Sequence, residues 1–471
     1  MKSTKIASSV QSVLQKLIAD YRLVPQIVAN ISTFGGRTLL VGGAVRDLLR
    51  GVPVKDLDIE VHGISLEQLE QILRAYGPVS YVGKSFGVLR LHGLDIDWSL
   101  PRADTSGRKP QVDVDPYMGM SKAFARRDLT INAIGVDLVT YDLIDPFHGY
   151  EDLKAGVLRA TDPEFFKEDP LRFFRVMQFI GRFEMQPDGQ LNEICRAMDF
   201  STVSVERIDD EFEKLMLKSK RPSLGIRWLD AIVRLKEILP ELHATKYTKQ
   251  NPDWHPEGSV FEHTMQTIDA AACIETNTHD EKLNLMYGAL CHDLGKVSTS
   301  IIKDGVIKSP GHDVEGEQPT KSLLKRITRK KALIDAAVKL VRYHLMPIQF
   351  ITNNAGSAAY KRLANKLYPE VTLELLAKLS LADRRGRNGT SHEPLTYTPP
   401  EITEFVEKAK RAKVLAAKEE PILQGKDLMP YIQPGPPMGE LLKRAYEIQI
   451  EQGIADKNEL LKRILDTSQQ Q

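Results

Sequence analysis

The 471-residue sequence has little of three features that would each indicate a particular class of protein. Its three cysteines, Cys195, Cys273 and Cys291, lie far apart and form no Cys-x-x-Cys pair, which excludes a cysteine-based zinc ribbon and favours the reducing cytoplasm. No apolar run approaches the length of a membrane-spanning helix, so we expect no membrane partner. The net charge is only +1, so any contact with nucleic acid has to come from a local patch.

The sequence does contain one short stretch in which two informative polar patterns follow each other. Gly42-Gly43 separates an apolar run from a segment with helical spacing, and paired glycines let a backbone approach a phosphate at a helix N-terminus. From Lys55 to Val61 polar and apolar residues alternate, which predicts a strand with Asp56, Asp58 and Glu60 on one face. Neighbouring carboxylates repel each other, and a hard divalent cation relieves that repulsion. We therefore expect a phosphate cradle beside a metal-binding pair of aspartates.

These residues also resemble a known family. The pattern GGAVRD followed by DLD is similar to the signature of the class II tRNA nucleotidyltransferases, which include the CCA-adding enzymes and the bacterial poly(A) polymerases. Residues 126–133, RRDLTINA, match a second motif of this family at every fixed position, and residues 143–153 match a further block. The resemblance extends over nearly all of the chain from Leu39 onward.

The resemblance implies roles for individual residues in the N-terminal part of the chain. Asp56 and Asp58 would be the catalytic carboxylates and would hold Mg²⁺. Asp97 stands where relatives often carry an acid and is a candidate third carboxylate, although an exposed strand residue is the alternative explanation. The residues that would bind the triphosphate are Gly43, Arg46 and Arg127.

The family likeness further implies that the helix after residue 168 selects the incoming base. The carboxylate of Asp169 could accept a hydrogen bond from the amino group of cytosine or adenine, and Arg172 could donate to the neighbouring ring nitrogen. Uracil and guanine present a carbonyl and an N–H at these positions and would leave both charges unpaired. Arg175, one turn further on, would reach the phosphates or the base edge. Many relatives have another arginine three residues later, where this chain has Gln178.

A second set of polar residues, in the C-terminal half, occurs in the order H…HD…H…H…D. This order resembles the HD-domain phosphohydrolases, whose helical bundle gathers such residues around one or two metal ions. The resemblance implies the primary ligands His263, His292, Asp293 and Asp383, with His312 and His344 completing a second site. Imidazoles and carboxylates suit Mn²⁺, Ni²⁺, Fe²⁺ or Mg²⁺, and a bound metal would activate water for attack on a phosphate.

The strongest basic patch lies between residues 322 and 342, where seven lysines and arginines face the single acid Asp335. A solvated helix face and a contact with an RNA backbone are the two interpretations of this patch.

We predict a multidomain α+β protein. Its parts would be a mixed α/β nucleotidyltransferase head with a small antiparallel-type sheet, an all-α neck, an all-α HD domain and a helical tail. The predicted boundaries are 1–33 for an N-terminal helical extension, 34–160 for the head, 161–242 for the neck, 243–258 for a linker, 259–390 for the HD domain and 391–471 for a linker and the tail.

The predicted activity is the addition of CMP and AMP from CTP and ATP to the 3′ end of tRNA, with a metal-dependent phosphohydrolase activity of the HD domain on the 2′- or 3′-phosphates of tRNA or nucleotides. Three alternatives stay open. The first is addition of only CC or only A, a difference that would lie in the loop predicted for residues 103–124. The second is a poly(A) polymerase. The third is an RNA-binding hydrolase or tRNA chaperone with a silent head. The oligomeric state is not predictable from the sequence.

Overall fold

A computed structural model describes residues 4–54, 56–82, 87–104 and 112–468 of the chain. The chain divides into two compact units, residues 1–203 and 204–471. This division falls inside the predicted neck, so the neck helices before residue 204 belong to the first unit and those after it belong to the second. Within the described ranges, no helix is both long enough and apolar enough to span a bilayer.

The first unit combines a mixed sheet with helices. Its strands are β1 (Thr4–Lys5), β2 (Arg37–Val41), β3 (Leu57–His62), β4 (Val79–Tyr81), β5 (Val88–Leu91), β6 (Ile96–Ser99), β7 (Arg102–Asp104), β8 (Val112–Val114), β9 (Gly135–Asp137), β10 (Asp142–Ile144), β11 (Val157–Leu158) and β12 (Gln186–Pro187). Its helices are α1 (Ser8–Asp20), α2 (Val24–Thr33), α3 (Gly43–Leu49), α4 (Leu66–Arg74), α5 (Met120–Ala125), α6 (Gly149–Ala155), α7 (Pro163–Lys167), α8 (Leu171–Phe183) and α9 (Gly189–Ala197), with a 3₁₀ turn at Thr130–Asn132.

Eight strands form the main sheet in the order β1-β10-β9-β2-β3-β6-β5-β4. All neighbouring pairs are antiparallel except β3 and β6, which are parallel and place Asp58 beside Asp97. The sheet is therefore mainly antiparallel, as predicted, with one parallel pair at the position of the aspartates. β3 begins at Leu57, and Lys55, which the alternation includes in the strand, lies outside the described residues.

Apolar side chains cover both faces of the sheet around β2. On one face Leu40 and Ile59 belong to the larger core, which also contains the fully buried Trp98 and the inner faces of α1, α2 and α4. On the other face Leu39 and Val41 pack with Phe124. Since β2 is buried on both sides, its sequence reads as a continuous apolar run rather than an alternation.

The prediction of an irregular loop from residue 103 to residue 124 is wrong for the part that the structure describes. β7 and β8 form an antiparallel pair, and α5 follows them. Val112 and Val114 alternate with Asp113, which is a strand pattern too short to stand out among the surrounding glycine, proline and charged residues. Residues 105–111 lie outside the described part of the chain.

The second unit is almost entirely helical. Its helices are α10 (Val205–Lys218), α11 (Ser223–Ala231), α12 (Leu235–Ile238), α13 (Pro240–Ala244), α14 (Val260–Ala272), α15 (His279–Cys291), α16 (Lys296–Thr299), α17 (His312–Glu315), α18 (Glu317–Ile327), α19 (Lys331–Tyr343), α20 (Met346–Thr352), α21 (Ser357–Leu367), α22 (Leu373–Arg385), α23 (Pro400–Arg411), α24 (Gly425–Leu428), α25 (Pro436–Gln452) and α26 (Lys457–Ser468). A 3₁₀ turn at Thr245–Tyr247 and a hairpin of β13 (Ile301–Lys303) and β14 (Val306–Lys308) complete the unit.

Helices α14, α15, α19 and α22 pack together as the centre of this unit. Three of these four helices begin with a side-chain cap, because Ser259, Thr278 and Thr372 each accept a hydrogen bond from a backbone N–H in the first turn. These caps fix where α14, α15 and α22 start, and thereby which residues of each helix face the bundle interior.

Most cations of the basic patch on α18 and α19 are already paired with carboxylates of the same unit. The pairs are Arg326 with Glu241, Lys330 with Glu213, Lys339 with Glu370 and Arg342 with Glu317. Because paired charges attract a polyanion less than free ones, the structure favours the interpretation of this patch as a solvated face.

Candidate functional site

Three carboxylates meet at the start of β3. Asp56 precedes the strand, Asp58 lies on it, and Asp97 occupies the adjacent position of β6. The protein around Asp58 removes part of the hydration of its carboxylate and raises its pKa; Arg127 opposes this shift, whereas Asp97 and Asp56 add to it. Asp97 also accepts a hydrogen bond of 2.6 Å from Arg90. A carboxylate whose pKa is raised by neighbouring carboxylates is suited to binding a divalent cation together with them.

The glycine pair lies directly beside these carboxylates. Gly42 has φ +70°, and a Cβ atom added to it would lie 2.8 Å from Nη1 of Arg127 and 3.9 Å from Oδ2 of Asp58. Gly43 is the first residue of α3. Position 42 therefore requires glycine for both conformational and steric reasons. The absence of a side chain there lets the turn lie close to Arg127 and Asp58.

Glu60 is the residue that fixes the two adjacent arginines, a role that no pattern in the sequence indicates. Its side chain is 0% exposed, and its Oε2 lies 3.1 Å from Nη2 of Arg126 and 3.6 Å from Nη2 of Arg127. Burial alone would raise the pKa of Glu60, but the hydrogen bond with His62 and the charges of Arg127 and Arg126 outweigh it and lower the pKa to about 2. Glu60 is thus a buried anion that holds Arg127 between itself and Asp58.

A second polar network extends from α3 to α8. Arg46, only 5% exposed, donates to Asn132 (2.6 Å) and to Asp47 (2.9 Å). Asn132 in turn donates to Asp128 (2.9 Å), and Asp128 accepts a hydrogen bond of 2.7 Å from Arg175. Arg46 is expected from the sequence to bind a triphosphate directly, whereas in the structure its guanidinium is buried among protein partners. The network joins the helix after the glycines to the helix that carries Arg175.

The two residues expected to select the base lie at the N-terminus of α8. Asp169 accepts a hydrogen bond from the backbone N–H of Leu171 at 3.2 Å. Arg172 donates to the carbonyl of Phe165 and lies over the ring of that residue at 4.2 Å. Gln178, by contrast, is 1% exposed and accepts a hydrogen bond from Arg182 at 3.0 Å. Position 178, where many relatives have an arginine, therefore lies in the protein interior.

The six metal-competent residues predicted in the C-terminal half come together in the centre of the second unit. His263 and Asp383 lie on α14 and α22, His292-Asp293 follows α15, His312 begins α17, and His344 follows α19. All six are buried.

Hydrogen bonds of the Nδ1 atoms orient the imidazole rings of the four histidines. The Nδ1 atoms of His292, His312 and His344 lie 2.7–2.8 Å from the carbonyls of Ala289, Ser309 and Val341, respectively. That of His263 lies 3.1 Å from the carbonyl of Gly386. Because a carbonyl can only accept, each Nδ1 carries a proton, and in the neutral form of each ring Nε2 presents a lone pair.

The Nε2 atoms face one another across Asp293. Those of His263 and His292 are 3.1 Å apart, and those of His312 and His344 are 3.2 Å apart. Oδ2 of Asp293 lies 3.3 Å from His292, and Oδ1 lies 3.3 Å from His312. Opposed lone pairs repel unless a cation lies between them, so this donor set fits one metal ion in each half, with Asp293 shared by both.

The surroundings of the cluster keep Asp293 and His344 in the forms that bind metal. Burial alone would raise the pKa of Asp293, but Lys296, at 2.6 Å, and His292 hold it well below its usual range. Burial lowers the pKa of His344 to about 3, with His312 and His292 contributing in the same direction. Asp293 is therefore ionised and His344 neutral near pH 7. Burial would also lower the pKa of His263, but its hydrogen bonds with Asp383 and Glu257 raise it to about 9, so a metal ion has to displace a proton there.

Two further residues of this site lie in the segment expected to be a linker. Oε1 of Glu257 is 2.8 Å from Nδ1 of both His255 and His263. Burial would raise the pKa of Glu257, but its hydrogen bonds with His255 and His263 lower it to about 2. The only sequence signal was the short run His-Pro-Glu a few residues before His263.

The charge of Glu60 provides a test of how the first site is held together. In the folded chain its pKa is about 2, below the usual value of 4.5, so the stability it contributes is present above pH 4.5 and is lost as the pH falls towards 2. We expect Glu60→Gln to lower the opening free energy of the β3 amides by about 3 kcal/mol at pH 7, and by much less at pH 3, as measured by hydrogen exchange.

The control is Glu164→Gln, which changes an exposed glutamate of α7 and is expected to alter the opening free energy by no more than about 0.5 kcal/mol. An equal loss at both pH values in Glu60→Gln would show that the shape of Glu60, rather than its charge, stabilises the strand.

Glu257 provides a test of the second site. Because it fixes the orientation of His263, Glu257→Gln is expected to weaken Mn²⁺ binding by about 10–100-fold in isothermal titration calorimetry. Glu404→Gln, at an exposed position on α23, serves as the control and should leave the affinity unchanged. Wild-type affinity in Glu257→Gln would contradict the supporting role.

Comparisons with known proteins agree with this architecture. The model of the poly A polymerase head domain matches residues 38–159, and that of the HD domain matches residues 260–388. The multifunctional CCA protein of Mannheimia succiniciproducens is 33% identical over 380 residues, which make up 75% of this chain and 85% of that protein.

Solved structures show the same fold. The Bacillus stearothermophilus CCA-adding enzyme in complex with CTP has a TM-score of 0.63 at 20% identity and covers 96% of this chain and 99% of its own. The Thermotoga maritima CCA-adding enzyme complexed with tRNA has a TM-score of 0.54 at 19% identity, with coverages of 98% and 96%. The predicted α+β class and family are confirmed: the chain belongs to the bacterial class II CCA-adding enzymes, tRNA nucleotidyltransferases with an HD domain.

Proposed function

We propose that this protein adds CMP and then AMP to the 3′ end of tRNA, using CTP and ATP. The observation that carries the proposal is the meeting of Asp56, Asp58 and Asp97 beside Gly42 and Arg127. The relatives described with CTP and with tRNA support the same substrates. In the reaction, the 3′ hydroxyl of the tRNA attacks the α-phosphorus, the bond to the β-phosphate oxygen breaks, and pyrophosphate leaves.

The residues of the first site divide this work between them. Mg²⁺ bound by Asp56 and Asp58, with Asp97 as a further carboxylate, would supply charge stabilisation for the attacking and leaving oxygens. Arg127, held by Glu60 beside the glycine turn, neutralises the triphosphate next to the backbone of Gly43. Arg46 acts through Asn132 and so positions the cradle.

Selection of the base is assigned to the N-terminus of α8. Asp169 and Arg172 offer one acceptor and several donors at this position, which matches the edges of both cytosine and adenine. Arg172 is held by backbone carbonyls and by the ring of Phe165, so its guanidinium meets the base in a fixed orientation. Arg175 is aligned by Asp128 and reaches towards the phosphates or the base edge.

We assign the second unit a metal-dependent phosphohydrolase activity on 2′- or 3′-phosphates. His263, His292, Asp293 and Asp383 form the first half of its donor set, and His312 and His344 form the second half with Asp293. Mn²⁺, Ni²⁺, Fe²⁺ or Mg²⁺ at this position would lower the pKa of bound water. Lys296 and Arg387, which contact Asp293 and Asp383, add positive charge where a phosphate would bind.

One assay tests both assignments. Purified protein is given tRNAs that end before CCA, after C and after CC, each with CTP, ATP or both. We expect stepwise addition of C, C and A. Asp58→Asn should lower this activity by about 10³-fold, because it removes part of the metal site, and should spare hydrolysis of a 3′-phosphate. His292→Ala combined with Asp293→Ala should have the opposite effect.

Other outcomes separate the alternatives. Long runs of A would identify a poly(A) polymerase, and arrest after CC, or no start without CC, would indicate an enzyme that works beside a partner. Hydrolysis without any addition would indicate a silent head. Loss of both activities in either variant would contradict two independent sites.

A further inference from the structure

A pocket of about 350 Å³ opens onto the second half of the metal-binding cluster. Its walls come from the segment before α14, from the hairpin strand β14 and from the loops that carry the cluster residues. The residues that matter for its chemistry are Trp254, Lys296, Lys308, His312 and Arg387. The volume is within the range of small-molecule sites, and the presence of His312 places the metal-binding cluster at its inner end.

The lysines and arginine that line this pocket give it a positive charge. Three cations line it, and no carboxylate does among the residues that the structure describes. Lys296 and Arg387 pair with the cluster residues Asp293 and Asp383, while Lys308 is exposed on β14. A pocket lined by cations in front of a metal-binding cluster attracts an anion such as a phosphate group.

Trp254 is the unusual feature of the pocket wall. Its side chain is 63% exposed, whereas Trp98 and Trp228 are 0% and 7% exposed. An exposed indole contributes little to the core, but its face can stack on any nucleobase. Gln250 and Asn251, which also line the pocket, offer amide groups for a ribose or a base edge.

We propose that Trp254 is a specificity-determining residue of this pocket: the base of the substrate stacks on its indole, while Lys308, Lys296 and Arg387 hold the phosphate in front of His312. The proposal rests on the hydrolase activity on tRNA or nucleotide phosphates assigned above, and it adds the residue that recognises the base. Because stacking does not distinguish bases, the pocket accepts any nucleobase and discriminates against phosphate esters that have none. The nucleotide is either free or the last residue of an RNA.

The test uses the full-length chain loaded with Mn²⁺ and compares a substrate that has a base with one that lacks it. The ligands are adenosine 3′-phosphate, uridine 3′-phosphate and glycerol 2-phosphate. We expect Trp254→Ala to raise Kd and KM for both nucleotides by about tenfold, with kcat and the values for glycerol 2-phosphate unchanged. Trp254→Phe should stay within about threefold of the wild type, because it retains an aromatic face.

Two further variants complete the design. Lys308→Ala should weaken the binding of all three ligands, because it removes a phosphate contact. Tyr431→Ala changes an aromatic residue of similar exposure (58%) that does not line the pocket, and it should match the wild type. An RNA oligonucleotide with a 3′-phosphate distinguishes the two sources of the nucleotide. If Trp254→Ala also weakens the binding of this RNA, the site recognises RNA ends. If it weakens only the binding of the mononucleotides, the site recognises free nucleotides.

The proposal is overturned if Trp254→Ala leaves nucleotide binding unchanged. It is also overturned if this substitution weakens the binding of glycerol 2-phosphate as much as the binding of the nucleotides. Calorimetry keeps this result separate from the fate of the hydrolase assignment. If the wild type hydrolyses none of the ligands, that assignment fails, while a Trp254-dependent Kd still establishes the pocket as a nucleotide site.

Discussion

The first site depends on one buried interaction, the contact of the Glu60 carboxylate with the guanidinium groups of Arg126 and Arg127. An ionised carboxylate inside a protein is costly unless cations satisfy it, and here one of the cations, Arg127, is a residue proposed to contact the triphosphate. Arg127 is thereby held beside Gly42 and Asp58, at the junction of the glycine turn and the carboxylates. Glu60 therefore links the stability of the sheet to the geometry of the proposed triphosphate cradle.

The same arrangement, in which a buried carboxylate orients functional side chains, recurs in both units. Asp128 aligns Arg175 on α8 and joins it through Asn132 to Arg46 on α3. In the second unit Asp293 directs one oxygen towards each pair of histidines. In each case the carboxylate fixes side chains from separate elements, so the geometry of each proposed site is set by the core of its unit rather than by its loops.

The sequence was most informative where the chemistry is local. Alternation placed Asp56 and Asp58 on one strand face, and the order of histidines and aspartates identified the six residues that the structure gathers in the second unit. Contacts between distant segments could not be read in the same way. Glu60 could be assigned only to the strand face of Asp56 and Asp58, because its partner Arg126 is 66 positions away. The hydrogen bond of Arg46 with Asn132 joins segments 86 positions apart, so the sequence predicted a triphosphate contact for Arg46 but not its place in this network. The parallel pairing of β3 with β6 and the role of Glu257 depend on tertiary structure in the same way.

The central claim is that Asp56 and Asp58 hold a divalent cation beside the triphosphate cradle. It is tested most directly by a crystal of the full chain grown with CTP and Mn²⁺, with anomalous scattering used to locate the metal. We predict a manganese peak in contact with both carboxylates and with the phosphates of CTP, next to Gly43 and Arg127. Manganese found only in the histidine cluster, with Asp56 and Asp58 turned to solvent and CTP bound elsewhere, would contradict the account.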